Sequence, residues 1–347
     1  MDMSKHSQAS FSLRMLWQQF TRILSLPIMA IVYGVDWIIS RLIEPVIGSR
    51  RMPYFFVLPN MLIFVLFILT PVLLNFVFAF TGGSSTALSN RFGVGLANFE
   101  RLFDCGDITN YLTCREDVFI RAIGNTTLYI AIEVPAMIIV AMIIALALNQ
   151  EIRLRGFFRS AFFFPVLLSP VVVALIWKWM LQERGGLINT IISMFGGEPI
   201  NFYVNGEWMM FWAIFVSVWA QVGFYALILL AGLQGIPPSL FEAARIDGAN
   251  SMQQFWRVTL PLLRPTLLVV LVLTLIRGVQ MFDHIYVLTG GGPGTSTTLM
   301  VQYIYRTGFE PPNNWGLAAA VSLLLAVVLA ILTIFQLFLN RKQTEAV

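Results

Sequence analysis

The stretch EAARIDGANSMQQFWRVTLPLLRP, residues 242–265, is a polar interruption between two long apolar parts of the chain. Just before and at its start, Ser239 and Glu242 have the spacing of a capping box at a helix N-terminus. A helix that begins there is expected to end after about two turns at Gly248, because glycine readily adopts the left-handed conformation that terminates helices. The stretch therefore predicts a short helix followed by a tight corner.

A second helix is expected directly after this corner. Ser251 and Gln254 repeat the capping-box spacing, and apolar residues follow them. Pro261 and Pro265 are expected to bend the chain back towards the apolar parts, because proline interrupts a helix. With the prolines that lead into the first helix, these features predict a rigid polar segment, residues 237–265, that is suited to contacting a soluble partner.

The rest of the chain has the composition of a membrane protein. It has 347 residues, of which 58% are hydrophobic and only 12% charged, and its mean hydropathy is +0.78. A soluble domain usually carries about 25% charged residues. The net charge of +4 is too small and too dispersed to indicate a nucleic-acid partner. We therefore expect an outer surface that contacts lipid.

Six stretches are long and apolar enough to cross a bilayer core of about 30 Å, which takes roughly 20 residues of helix. One of them, 266–289, is apolar except for Arg277, Asp283 and His284 and is therefore the weakest candidate. The stretches are 55–80, 122–150, 162–181, 208–233, 266–289 and 317–339. They predict an all-α membrane protein with six transmembrane helices.

The basic residues predict how these spans are oriented, because Lys and Arg collect in cytoplasmic loops. Fourteen of the 22 lie in the N-terminal segment, in the loops after the second and fourth spans, and in the C-terminal tail. The loops on the other side contain six arginines. Both termini and the polar segment are therefore predicted to be cytoplasmic.

The only two cysteines, Cys105 and Cys114, lie in DCGDITNYLTC, within the long first external loop. An oxidising compartment would allow them to form a disulfide that closes a small loop. The alternative is two free thiols in a polar loop. With two histidines in the whole chain and no other cysteine, no metal site is expected.

The first 52 residues contain one ambiguous apolar stretch, ILSLPIMAIVYGVDWIIS at 23–40. It includes Pro27 and Asp36, and an arginine flanks it on each side. A seventh span here would place the start of the chain outside, against the charge bias. An interfacial helical segment agrees better with that bias. We therefore divide the chain into an N-terminal segment, 1–52, and a transmembrane domain, 53–342.

The polar segment resembles a known motif. The pattern E-A-A-x2-D-G-A-x5-F-x2-V-x-L-P-x3-P matches the EAA motif of ABC importer permeases at every fixed position. The resemblance implies a type I importer permease core in which this segment is the coupling helix region that docks on an ATP-hydrolysing subunit. It assigns that coupling role to Glu242, Ala243, Ala244, Asp247, Gly248 and Ala249.

Three further stretches are similar to the carbohydrate-uptake branch of this family, the maltose and glycerol-3-phosphate type. They are GLANFERLF at 95–103, AIGNTTLYI at 122–130 and FDHIYVLTGGGPGTSTT at 282–298. This resemblance implies a permease of the bacterial inner membrane that moves a sugar or sugar derivative. It also implies a second homologous permease, two copies of an ATPase subunit that bind ATP and Mg, and a periplasmic or lipid-anchored sugar-binding protein.

The chain itself is not expected to be an enzyme or to hold a cofactor. The glycine run at 290–294 is not a phosphate-binding loop, because no Gly-Lys-Ser or Gly-Lys-Thr occurs anywhere in the chain. The alternative function is an autonomous secondary transporter or channel that works on an ion gradient. The EAA motif favours the importer, since an autonomous transporter has no ATPase to engage.

Sugar recognition needs hydroxyl partners and flat apolar surfaces, and the resemblance places such residues on two spans. The alternative is that several of them only pack helices together, and Asp283 and His284 are interpreted as scaffold. The candidates are Ser217, Gln221, Phe224 and Tyr225 on one span and Thr274, Arg277, Gly278 and Met281 on the next.

Glu133 and Arg277 are the charges deepest in the predicted spans. Each lies 12 residues inside its own end of a span, which is about 18 Å at 1.5 Å per residue. In a core of about 30 Å the two are therefore at similar depths. Three arrangements are open: the residues pair, Arg277 faces the sugar path and selects an anion, or each is solvated locally.

Overall fold

The computed structural model describes residue 41 and residues 48–344 except 84, 86, 108, 109, 151 and 152. The described chain divides into two compact units, one ending at Leu74 and the other beginning at Asn75. The stretch 23–40, for which an interfacial segment is predicted, lies outside the described residues.

The regular secondary structure of the described part is helical apart from a ladder of two short strands, β1 (Thr81–Gly82) and β2 (Phe92–Gly93). Five of its helices are long and apolar enough to cross a membrane, and a bent pair supplies a sixth candidate. The helices are α1 (Met52–Ala79), α2 (Ala97–Leu102), α3 (Asp117–Asn149), α4 (Arg155–Phe163), α5 (Pro170–Met180), α6 (Leu187–Met194), α7 (Gly206–Gln234), α8 (Pro238–Ile246), α9 (Ser251–Val279), α10 (Asp283–Thr289), α11 (Met300–Phe309) and α12 (Trp315–Thr344). The predicted all-α membrane fold is confirmed.

The third predicted span, 162–181, is not a straight helix. Helix α4 continues as a 3-10 turn to Leu167, and its axis makes an angle of 98° with that of α5. The break has a local cause: Leu168 and Ser169 are extended, because a residue before proline is disfavoured in the helical region, and Pro170 then starts α5. The hydropathy of this stretch therefore predicts an apolar element correctly, but the prediction of one straight transmembrane helix is wrong.

The fifth predicted span, 266–289, is also wrong in its bounds. Helix α9 begins at Ser251 and ends at Val279, and a corner separates it from the short helix α10. Pro261 and Pro265 do not turn the chain, since α9 runs through both of them, and a π-helical stretch (Phe255–Thr259) precedes them. The second helix of the polar segment and the transmembrane helix are thus one continuous element.

One buried apolar cluster joins α3, α7 and α9. It contains Met137 and Ala141 of α3, Tyr225 and Leu229 of α7, and Leu263 of α9. Gly223 of α7 also allows the end of α4 to approach closely, because a Cβ atom there would collide with the backbone oxygen of Phe162. These contacts hold the broken span and α9 against α7, and the space between them is the cavity described below.

The external loop before α3 is tied to the rest of its unit. The Sγ atoms of Cys105 and Cys114 are bonded, at 2.08 Å. Arg101 forms an ion pair with Glu116 at 2.6 Å, and the Tyr303 hydroxyl donates to the other oxygen of Glu116 at 3.0 Å. Burial, together with that carboxylate, raises the pKa of Tyr303. The phenol therefore stays protonated and keeps donating this hydrogen bond.

Candidate functional site

The first helix of the polar segment, α8, begins without the predicted capping box. Its N-cap is Pro237, with Pro238 at the first helical position, and no side chain caps it. Ser239 therefore lies inside the helix, and the capping role predicted for Ser239 and Glu242 is wrong. The reason is that Pro238 has no N–H to satisfy and its fixed φ already suits the first helical turn.

The end of α8 forms a Schellman motif, in which two backbone hydrogen bonds close around a left-handed residue. The Ala249 N–H donates to the Ala244 carbonyl at 2.9 Å, and the Gly248 N–H donates to the Arg245 carbonyl at 3.1 Å. Gly248 has φ +78°, so the predicted left-handed stop is confirmed. Because Asp247 closes the same turn, the residues assigned to coupling form one compact unit.

The second helix of the polar segment is capped one residue earlier than predicted. Asn250 is the N-cap, and its side chain accepts from the Gln253 N–H at 2.8 Å, while the Gln253 side chain accepts from the Asn250 N–H at 2.9 Å. The box predicted at Ser251 and Gln254 is therefore wrong by one position. Gln254 instead donates to the Ala249 carbonyl at 2.9 Å, which ties the corner to the second helix.

The polar segment is anchored on one side and exposed on the other. Phe241 and Phe255 pack against the apolar cluster of α3, α7 and α9. Glu242 and Asp247 are exposed, and Ile246 beside them is 86% exposed. Ile246 and the two carboxylates therefore face outward together, on a corner that backbone hydrogen bonds hold rigid.

A cavity of about 590 Å³ lies where α7, the end of α9, the start of α10 and the broken span meet. We call it the central cavity. Its walls are formed by Pro165, Val166, Leu168, Pro170, Val173, Ala220, Gln221, Phe224, Arg277, Gln280, Met281, Phe282, Asp283 and His284.

The central cavity combines hydrogen-bonding groups with flat apolar surfaces. Gln221 and Gln280 each present an amide that can donate and accept, and Asp283 presents an exposed carboxylate. Phe224 and Phe282 lie on the same walls. This combination suits a ring-shaped ligand with many hydroxyls, because the hydroxyls take the polar groups and the apolar ring faces take the phenyl rings.

Four of the eight predicted substrate-binding residues line the central cavity: Gln221, Phe224, Arg277 and Met281. The other four, Ser217, Tyr225, Thr274 and Gly278, are buried among helices and are not on its walls. Thr274 donates to carbonyls of its own helix at 2.9 Å. Gly278 faces Ile130 and Val134 of α3. In the structure these four therefore pack helices rather than line the cavity.

Ser217 belongs to a buried hydrogen-bond network that joins three helices. It accepts from the Tyr129 hydroxyl of α3 at 2.5 Å and donates to the Ala213 carbonyl at 2.9 Å. Its Oγ also contacts Nε2 of His284 on α10. A buried network of this kind costs stability when one member is removed, so it holds α10, and with it one wall of the cavity, against α3 and α7.

Glu133 and Arg277 do not pair. Among the described residues no ion pair joins them within 4.0 Å, and Oε2 of Glu133 has no hydrogen-bond partner. Glu133 is buried at 2% exposure next to Gly278, whereas Arg277, one residue earlier, is exposed on the cavity wall. Arg277 and Gly278 are consecutive on α9 and therefore lie on different faces of that helix. Glu133, which is next to Gly278, thus forms no ion pair with Arg277, although the two charges were predicted at similar depths.

Ten of the fourteen wall residues were not among the predicted substrate-binding residues, and Gln280, Phe282 and Asp283 are three of these ten. Gln280 and Phe282 form the corner between α9 and α10, which a continuous span over 266–289 conceals. Asp283 was interpreted as scaffold together with His284. The two side chains differ in exposure, since Asp283 is exposed and His284 is 3% exposed, although both residues contribute to the cavity wall. A polar cluster inside an apolar stretch is the signal that could have indicated the corner.

Residues 137–345 match the family of binding-protein-dependent transport system inner membrane components. The chain is 33% identical over 296 residues to the arabinooligosaccharides transport system permease AraP of Bacillus subtilis, which covers 84% of this chain and 90% of that protein. It is 37% identical over 242 residues to the multiple sugar-binding transport system permease MsmF of Streptococcus mutans, covering 69% and 82% respectively.

A solved structure agrees with these sequence matches. A chain of a bacterial ABC transporter involved in the import of the acidic polysaccharide alginate superposes with a TM-score of 0.70 at 27% identity. The match covers 85% of this chain and 96% of that one. The family match, the similar permeases and the shared fold together define the permease component of an ATP-binding-cassette importer.

The chain belongs to the binding-protein-dependent ABC transporter permeases. It is a multi-pass protein of the inner membrane and a transport subunit, and in such systems the ATPase is a separate subunit. This membership decides against an autonomous secondary transporter or channel.

Proposed function

We propose that this chain forms one half of the translocation path of an ATP-driven sugar importer, with the central cavity as its sugar-binding site. The observation that carries the proposal is the composition of the cavity wall, where two amides and a carboxylate face the same space as two phenyl rings. The relatives with similar sequences are permeases of arabinooligosaccharide and multiple-sugar transport systems, which supports a carbohydrate substrate.

The polar segment is the proposed coupling site. Its six residues Glu242, Ala243, Ala244, Asp247, Gly248 and Ala249 surround one Schellman turn, and Ile246 projects beside them. We place this surface, and both chain termini, on the cytoplasmic side, where an ATPase subunit binds it. Since α9 runs without interruption from this corner to the cavity wall, a displacement of the corner acts directly on Arg277 and Gln280.

The proposed assembly contains four further kinds of contact. A second homologous permease completes the path, two ATPase subunits bind ATP and Mg, a periplasmic or lipid-anchored binding protein delivers the sugar, and lipid covers the outer helices. The similar alginate importer has been solved in complex with an alginate pentasaccharide-bound periplasmic protein. Alternating access in this assembly opens the cavity to one side of the membrane at a time.

The test is uptake by the complete complex in proteoliposomes, with its binding protein outside and ATP inside. Radiolabelled neutral, phosphorylated, sulfonated and uronic sugars are compared. Phe224→Ala is expected to reduce uptake at least roughly tenfold, because it removes a stacking surface from the cavity. The matched control is Phe338→Ala, which removes an equal ring that is 64% exposed on the outer surface of α12.

Two results would contradict the proposal. Uptake that continues without ATP and follows an imposed ion gradient would indicate an autonomous transporter. Equal uptake by the Phe224→Ala and Phe338→Ala complexes would place the sugar outside the central cavity.

A further inference from the structure

Arg277 is an uncompensated positive charge on the wall of the central cavity. It lies in the last turn of α9, and its side chain is exposed to the cavity. In the part of the chain that the structure describes, it makes no ion pair and no hydrogen bond. A charged group within a membrane-spanning helix normally faces a partner or a water-filled space.

Neither nearby carboxylate neutralises this guanidinium. Asp283 lines the same cavity but stays beyond the 4.0 Å limit of an ion pair with it. Glu133 lies behind α9, against Gly278, and is not on the cavity wall. Water can solvate Arg277 while the cavity is open to one side. When a transport cycle closes the cavity around its ligand, that water is displaced and the guanidinium needs an anion.

We propose that Arg277 binds an acidic group of the transported sugar, so that the substrate is a uronic sugar or an acidic oligosaccharide. A guanidinium presents paired N–H donors in a plane that match a carboxylate with two parallel hydrogen bonds. This inference rests on the proposed function, because it assigns the charge of the sugar that the cavity receives.

The rest of the wall accounts for a sugar acid rather than a simple anion. A small anion would use Arg277 alone and would leave Asp283 and the two amides of the wall without a partner. A sugar acid has both kinds of group: its carboxylate binds Arg277, while Asp283 accepts hydrogen bonds from ring hydroxyls at a distance from that carboxylate. Gln221 and Gln280 complete the polar contacts, and the volume of about 590 Å³ admits more than one ring.

The experiment measures binding in the cavity directly, in the purified complete complex without its binding protein. Ala220→Cys places a thiol on the cavity wall beside Gln221. The chain has only two cysteines of its own and they are bonded to each other, so the introduced thiol is the reactive one in this subunit. Alkylation of this subunit is followed by mass spectrometry while the sugar concentration is raised.

The probes are pairs of uronic oligosaccharides and their methyl esters, which share one skeleton and differ in charge. The acids are expected to protect the thiol of the Ala220→Cys variant at concentrations roughly tenfold or more below those at which their esters protect it. Arg277→Gln should abolish this difference, and Arg277→Lys should retain part of it. Lys178→Gln is the matched control: Lys178 is a cation that donates to the Val287 carbonyl at 3.4 Å and is not on the cavity wall, so the acid preference should remain.

The outcomes separate this inference from the proposed function. Equal protection by acids and esters, or an acid preference that survives Arg277→Gln, overturns the assignment of Arg277 while ATP-driven uptake of neutral sugars still supports the importer. Loss of the preference in Glu133→Gln as well would assign the charge recognition to a pair of residues and not to Arg277 alone, and would also overturn it. Protection by acetate at the concentrations at which the uronic oligosaccharides protect would show that the site binds any small anion, and would overturn the assignment to a sugar acid. Absence of ATP-driven uptake for every sugar tested refutes the proposed function itself.

Discussion

Replacing Gly248 by valine should uncouple the permease from its ATPase without unfolding its membrane helices. Gly248 has φ +78°, and a residue with a Cβ atom pays about 1–2 kcal/mol to adopt the left-handed conformation. Valine lies at the upper end of that range because it is β-branched. No atom lies within 4 Å of the position that a Cβ would occupy, so the whole cost is in the backbone.

A cost of about 2 kcal/mol changes the population of the native corner roughly 30-fold. The hydrogen bonds lost with it are those from Ala249 to Ala244, at 2.9 Å, and from Gly248 to Arg245, at 3.1 Å. Both belong to the exposed corner and not to the apolar cluster. We therefore expect a local disorder of the coupling surface, with the helices α3, α7 and α9 still packed together.

The assay is ATP hydrolysis stimulated by the binding protein, together with the amount of ATPase subunit that co-purifies with the permease. The thermal unfolding midpoint, followed by circular dichroism, reports the membrane helices. Gly248→Asn is the matched control, because asparagine adopts the left-handed conformation at low cost. If the valine complex retained its ATPase subunit and full stimulated hydrolysis, the reasoning from the Schellman turn would be refuted.

Three further outcomes are expected. Glu242→Lys should reduce co-purification of the ATPase with no loss of helix content, because Glu242 is exposed and caps nothing; unchanged co-purification would exclude it from the docking surface. Alkylation of the intact protein should label neither Cys105 nor Cys114 until a reductant is added, and labelling from the outside without reductant would show that they are not bonded in the membrane. The effects of Glu133→Gln and Arg277→Gln on the free energy of unfolding should be nearly additive, with a coupling energy below about 1 kcal/mol, since no ion pair joins the two side chains within 4.0 Å; a coupling energy of about 2 kcal/mol or more in a double-mutant cycle would show that they pair.

Local sequence was enough to predict that the chain lies in a membrane and where its polar segment is. Hydropathy identifies a membrane span because every residue on a lipid-facing helix experiences the same solvent, whatever its neighbours are. The left-handed stop at Gly248 was equally local, because it depends on one residue without a Cβ atom. The EAA pattern extended these local signals to a family, and with it to an importer.

Capping and helix breaks were only partly predictable, because several residues compete for one role. Asn250 and Ser251 are both good N-caps, and the corner geometry selected Asn250 by placing it next to the left-handed turn. Pro165, Pro170, Pro261 and Pro265 look alike in sequence, yet α9 runs through the last two, while the chain breaks at Ser169 before Pro170. A helix continues through proline where neighbouring packing supports it, and that packing is not written in a window of a few residues.

The sequence by itself determined that this chain is helical, lies in a membrane and presents one rigid polar corner, since each of these follows from composition or from a few adjacent residues. Only the tertiary structure decided which polar side chains share a space. It turned Ser217 towards Tyr129, buried Glu133 behind Gly278, and left Arg277 and Asp283 on one wall. The physical reason is that the neighbours of a residue on a helix depend on how that helix crosses the others. The crossing in turn arises from contacts between residues that are far apart in the chain.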